Sequence, residues 1–118
     1  MSIPRTLNTH NQGTADALMA PIELAEAEQL AELLQAIGDP ARLRILTALD
    51  SACVPVGALV AATGLRQSTV SHHLRVLRDR GLVTADRRGS YVYYCCASDD
   101  IHPTLDRART LLRSRNRP

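Results

Sequence analysis

The sequence predicts a mainly α-helical domain with one small β-hairpin, in the order α-α-α-α-β-β-α. Three observations lead there. Aromatic residues make up only 3% of the chain, all of them Tyr, so the core is built from Leu, Val, Ile and Ala, a set that suits packed helices better than a large sheet. Apolar residues recur at helical spacing in segments closed by Gly38, Gly64 and Gly81. Two β-rich runs flank Arg87, Arg88 and Gly89 near the carboxy-terminal third. With 118 residues, 45% of them hydrophobic, the chain has material for one core and is expected to fold.

Residues 1–20 mix polar residues with Gly and Pro without apolar periodicity, and are expected to form a flexible arm before a single domain over residues 21–118. The first helix is expected from near Pro21 to Ile37, with Leu30, Leu33, Leu34 and Ile37 as its apolar stripe. Asp39 before Pro40 is a restart signal, because the carboxylate caps orphan amides and Pro at the first helical position has no amide to lose. The second helix then runs to about Leu49 and is expected to bury Leu43, Ile45, Leu46 and Leu49. A short third helix, Val56 to Thr63, turns Leu59 and Val60 inward and stops at Gly64. The fourth, from about Gln67 to Arg80, places Val70, Leu74 and Leu77 on one face. Leu82–Asp86 and Ser90–Cys95 are the strands of a hairpin with a basic tip. A last helix begins near Pro103 and carries Leu105, Ala108, Leu111 and Leu112.

The net charge is only +2, but it is segregated. All 14 basic residues are Arg; Glu23 to Asp39 holds five acids and no base, whereas Arg66 to Arg88 holds six Arg against Asp79 and Asp86. That pattern suits a polyanion on one face. The three Cys are too few and too sparse for a disulfide framework and point to metal binding, redox sensing or plain burial. No nucleophile elbow, phosphate loop or paired catalytic carboxylates is present, so an enzyme is not expected. The amino-terminal segment lacks the charged-then-apolar pattern of a signal peptide, and a cytoplasmic location is expected.

A short helix, a tight turn at Gly64, a longer polar-faced helix and a basic hairpin together make a winged helix-turn-helix. A helix fits the width of the major groove and offers side chains to base edges, while a wing follows the phosphates or the adjacent minor groove. The expected DNA contacts are Gln67, Ser68, Thr69, Ser71, His72, His73, Arg75 and Arg78 on the helix, with Arg87, Arg88 and Gly89 on the wing.

Three motifs carry a resemblance. Gly38-Asp39-Pro40-Ala41-Arg42-Leu43-Arg44-Ile45-Leu46, then Gln67-Ser68-Thr69-Val70-Ser71-His72-His73-Leu74-Arg75-Val76-Leu77, then Gly81-Leu82-Val83 with the Arg-Arg-Gly wing, closely resemble the ArsR/SmtB family of bacterial transcriptional repressors. The resemblance spans roughly Leu24 to Leu112 and implies a homodimer on double-stranded operator DNA, released by an inducer that is usually a metal ion or metalloid. It implies an interface built by the first and last helices, here Leu30, Leu33, Leu34 and Ile37 with Leu105, Ala108 and Leu112. Arg66 stands where the family commonly places a Ser or Thr cap, leaving the helix start to Ser68 or a DNA phosphate.

The family's inducer sites are incompletely matched. Where many members have Cys-Val-Cys on the third helix, this chain has Cys53-Val54-Pro55. The carboxy-terminal pattern, Asp-x-His followed after ten residues by His-x-x-Glu, is met by Asp100 and His102 but then by Arg113 and Asn116, which cannot replace its ligands. Cys53, Cys95 and Cys96 remain as metal ligands, a thiolate set for a soft ion. The resemblance then suggests As(III) or Sb(III) as inducer, provided Val54 to Val56 pairs with the returning wing strand and so brings Cys53 to Cys95 or Cys96. Neighbouring side chains on a strand point to opposite faces, so both Cys95 and Cys96 can ligate only if the strand ends between them. Cys53 is equally readable as a small core residue. A thiol redox or persulfide sensor on the same scaffold is the alternative, with Cys53 bridging to Cys95 or Cys96.

Overall fold

The computed structural model describes residues 18–49 and 52–118, so the arm expected over residues 1–20 lies outside the described residues except for its last three. The chain is arranged as α1 (Leu24–Ile37), α2 (Pro40–Ala48), β1 (Val54–Pro55), α3 (Val56–Thr63), α4 (Gln67–Asp79), β2 (Val83–Arg88), β3 (Tyr91–Cys96) and α5 (Ile101–Arg115). This is the predicted order with one addition, the two-residue strand β1. Ala31–Pro118 form one compact unit, and the described residues before Ala31 belong to another. Among the described residues no helix is long and apolar enough to cross a membrane.

Local chemistry sets the breaks between helices. Gly38 follows α1 packed tightly on the helix's own last turn: a Cβ on it would lie 2.9 Å from the Leu34 carbonyl oxygen. Asp39 restarts the helix as expected, its Oδ2 accepting from the amides of Ala41 at 2.9 Å and Arg42 at 3.1 Å. Gly64 closes α3 with φ +73°, a left-handed conformation that side chains with a Cβ resist.

The core gathers Ile45, Leu46 and Leu49 of α2, Leu59 of α3, Val70, Leu74 and Leu77 of α4, then Leu82, Val83, Ile101 and Leu105. Thr63 is buried among them and is satisfied locally, its hydroxyl donating to the Leu59 carbonyl at 2.7 Å. Leu43, expected inside, is exposed on the outer side of α2. Two residues expected at a subunit interface also lie elsewhere: Leu105 is only 4% exposed within its own subunit's core, and Ile37 packs against that core. Both belong to helical stripes, and a stripe alone does not say which of its members turn toward the core. Leu30, Leu33, Leu34, Ala108 and Leu112 of the same expectation are exposed.

The sheet is antiparallel with β3 in the middle, in the order β1-β3-β2. Register runs from Val83 opposite Cys96 to Arg88 opposite Tyr91, which leaves Gly89 and Ser90 as a two-residue turn. Gly89 has φ +64°. A turn this short places Arg87 and Arg88 on β2 itself rather than in a loop.

Candidate nucleic-acid interface and cysteine pair

The spacing of Val70, Leu74 and Leu77 fixes the orientation of α4. Burying those three leaves Gln67, Ser68, Ser71, His72, Arg75 and Arg78 on the exposed side. Thr69 and His73 are half-buried instead. Arg66 precedes the helix in extended conformation and supplies no side-chain cap to its first turn. Beside α4, a groove of about 450 Å³ lies between Gln67 and Ser71 on one side and Tyr91 and Val92 of the hairpin on the other.

On the hairpin, Arg88 is held in place: its Nε donates to Asp86 Oδ2 at 3.0 Å and its guanidinium lies 4.6 Å from the centre of the Tyr93 ring. Arg87 is its neighbour on the strand and projects to the other face. Both are exposed, as is Gly89 at the turn.

His73 does not share the surface of His72. Its side chain is 14% exposed and accepts from Arg42 Nη1 at 3.2 Å, with Asp39 Oδ2 at 3.9 Å from its other nitrogen. The same guanidinium donates to the Ala36 carbonyl at 2.6 Å. Burial pushes the His73 imidazole below its ordinary pKa, an effect opposed by the Asp39 carboxylate and reinforced by Arg42 and His72. The Asp39 carboxyl is lowered mainly by the Arg42 amide it caps, with the Arg42 and His73 charges adding and desolvation opposing. The sequence marked Asp39 as a cap and His73 as part of a polar helix, but nothing in the spacing announced their meeting through Arg42, 31 residues from His73.

The short strand β1 decides the cysteine geometry. Val54 pairs with Tyr94 and Pro55 with Tyr93, so Cys53 comes opposite Cys95. The two are joined in a disulfide with their Cα atoms 4.5 Å apart. Cys96 is not gathered with them. Strand β3 runs through Cys96, which pairs with Val83, so consecutive side chains at 95 and 96 take opposite faces and the condition for a three-sulfur set is not met in this arrangement. Cys96 packs against the core and its thiol donates to the Leu49 carbonyl at 3.2 Å. His102 Nε2 donates to the same oxygen at 2.7 Å, a role that the Asp-x-His pattern did not suggest. A cavity of about 280 Å³ is lined by Cys53, Cys95, Cys96, Ser98, Asp99 and His102. Among the described residues no three potential ligands are arranged to hold a metal ion.

Comparison with known proteins places these features in context. The model of a family described as bacterial regulatory protein, arsR family, matches residues 39–85. The chain is 45% identical over 89 residues to the transcriptional regulator NmtR of Mycobacterium tuberculosis, covering 75% of this chain and 74% of that protein. In structure it is similar to the homodimeric winged helix-turn-helix domain of Mb0332 from Mycobacterium bovis, with a TM-score of 0.70 at 29% identity over 84% of this chain and 94% of that one. It is also similar to reduced HlyU from Vibrio cholerae, with a TM-score of 0.67 at 30% identity over 74% of this chain and 92% of that one.

Proposed function

Because the chain belongs to the ArsR/SmtB family of bacterial transcriptional repressors, we propose that it grips operator DNA as a homodimer through α4 and the hairpin, and that the Cys53–Cys95 pair sets its affinity for that DNA. The family consists of DNA-binding regulators, not enzymes. A cytoplasmic location accords with membership in a family of DNA-binding regulators. The exposed row on α4 suits base reading: Gln67 offers a bidentate partner for adenine and Arg75 or Arg78 one for guanine, while Ser68, Ser71 and His72 reach phosphates. A phosphate at the start of α4 would also satisfy amides that Arg66 does not cap. Arg87 extends the contact along the backbone. Two copies, as in the homodimeric Mb0332 domain, would engage two half-sites one helical turn apart.

The observation that carries the sensing function is the bridge itself, which joins β1 at the entrance to α3 to β3 of the wing. Closing it takes two electrons and two protons from the thiols of Cys53 and Cys95 to a peroxide or a low-molecular-weight disulfide. Opening it returns both from a thiol reductant. A disulfide in a reducing compartment is usually transient and sensory. The relative HlyU has a structure described as reduced, in keeping with a redox-active scaffold. With the bridge closed, the wing is fixed to the helix-turn-helix, and the two can no longer adjust independently to a duplex.

Release by As(III) or Sb(III) is the second reading, favoured by the single cavity that Cys53, Cys95 and Cys96 all line. It needs the bridge open and Cys96 drawn away from Leu49. Fluorescence anisotropy with an operator duplex separates the two. Oxidation of the full chain by diamide should weaken binding at least about tenfold, reversibly with dithiothreitol, and Cys53→Ser or Cys95→Ser should remove the response. Equal affinity of reduced and oxidised protein would refute the redox reading. Release of the reduced protein by arsenite, lost in Cys96→Ser, would establish the metalloid reading in its place.

A further inference from the structure

We propose that His73 is a positioning residue for operator binding: as a neutral acceptor for Arg42 it ties α4 to the junction of α1 and α2, and affinity for DNA falls when it is protonated. The proposal rests on α4 being the helix that reads DNA. A guanidinium has only donors, so the contact of 3.2 Å from Arg42 Nη1 fixes His73 Nδ1 as the acceptor and its proton on Nε2. The remaining donors of Arg42 go to the last turn of α1, Nε to Ala36 at 2.6 Å and Nη2 to Gln35 at 3.5 Å, both carbonyls of a helix end. One planar group therefore spans three helices: it sits on α2, closes α1 and holds α4.

Protonation would break this arrangement at a definite atom. Nδ1 would become an N–H facing the Arg42 N–H, with two cations in contact. The charged groups that face His73 are Arg42 on α2, Asp39 at the start of α2 and His72 on its own helix. Asp39 compensates only in part, because its Oδ2 lies 3.9 Å from Nε2 and already accepts two amides. Burial favours the neutral ring as well. His72 is exposed on the same helix with its ring 5.1 Å from that of His73, on the side proposed to meet phosphate.

The test measures operator affinity of the reduced full chain by anisotropy at pH 8 and about 5.5 at constant ionic strength, where an ordinary His changes charge. A His72→Gln background leaves His73 as the one imidazole on α4. Affinity should fall about tenfold over that range, as expected for losing a hydrogen bond to a charged group. His73→Asn keeps an acceptor at the place of Nδ1 but does not titrate, so it should bind like the parent at pH 8 and lose the fall. His73→Leu should bind about tenfold more weakly at pH 8, with folding checked by circular dichroism. Persistence of the fall in His73→Asn overturns the proposal, and that profile decides the matter even if His73→Leu does not fold. Arg75→Ala separates the two levels: undiminished binding in that variant would refute α4 as the reader, whereas weakened binding with an unaltered pH profile in His73→Asn would refute only the role of His73.

Discussion

Asp39 shows how a single side chain can start an element and tie it to others. Its carboxylate caps α2 through Ala41 and Arg42, and the backbone geometry that makes the cap also brings Arg42 toward α1 and α4. Asp39→Ala should destabilise the protein by about 1 kcal/mol in urea unfolding at neutral pH, the usual cost of a lost cap. The carboxyl's lowered pKa gives this contribution a sign: present above the ordinary value of 3.8, it disappears as pH falls through the lower folded value. Wild type and Asp39→Ala should therefore converge in acid. His73 acts in a higher window. Its imidazole is lowered from 6.5, so the unfolded chain takes up the proton first and stability declines as pH drops from there through the folded value. Urea midpoints measured across that interval should fall for the wild type and flatten for His73→Asn. The cap was legible because Asp before Pro is a local signal. The partnership with His73 was not, because it depends on how helices 31 residues apart come together.

At the scale of elements, periodicity carried the reading where a segment was long enough to have a period. Helix α4 has 13 residues with three buried at helical spacing, so its buried face could be named from the sequence, though Thr69 and His73, read with the exposed face, are half-buried. Strand β1 has two residues, Val54 and Pro55, and no pattern of that length distinguishes a strand from a turn. Its position nevertheless decides which cysteine meets Cys53. Strand β3 was recognisable from its Tyr and Val content, but its end depended on hydrogen bonding to β2 as far as Val83 opposite Cys96. One residue at that end turns a three-sulfur cluster into a pair and a separate thiol. The two-residue turn similarly moves Arg87 onto the strand, beside an Arg88 that Asp86 and Tyr93 already engage. From this placement, Arg87→Ala should weaken operator and random DNA alike and lower the salt slope of binding by about 1. Gln67→Ala should instead relax sequence preference, with a loss of about 1 to 3 kcal/mol in discrimination at one base pair. Anisotropy over a salt series with matched and mutated duplexes distinguishes the two effects, and a uniform loss for Gln67→Ala would show that it contacts only the backbone.

The molecule as a whole leaves apolar surface that one copy does not cover. Leu111 is 70% exposed and Leu112 48%, and a groove of about 430 Å³ between α2 and α5 is lined by Leu43, Leu105, Ala108 and Leu112. In the proposed dimer, these exposed side chains of α5 are the surface that the second copy buries. A sequence cannot divide such a helix between core and interface, since both uses demand Leu at the same spacing; burial makes the division, with Leu105 inside and Leu112 outside. The two leucines therefore predict opposite failures. Leu105→Asp places a carboxylate in the core at a cost above about 3 kcal/mol, a large share of the few kcal/mol that hold a small domain, and should abolish cooperative unfolding. Leu112→Asp should keep its helical circular dichroism and cooperative melt while sedimenting as a monomer at micromolar concentration. Because each half-site alone is bound weakly, that variant should also lose tight binding to the full operator while still binding an isolated half-site as the wild type does. A dimer that persists in Leu112→Asp would move the interface off α5 altogether and leave the exposed leucines of α1 to form it.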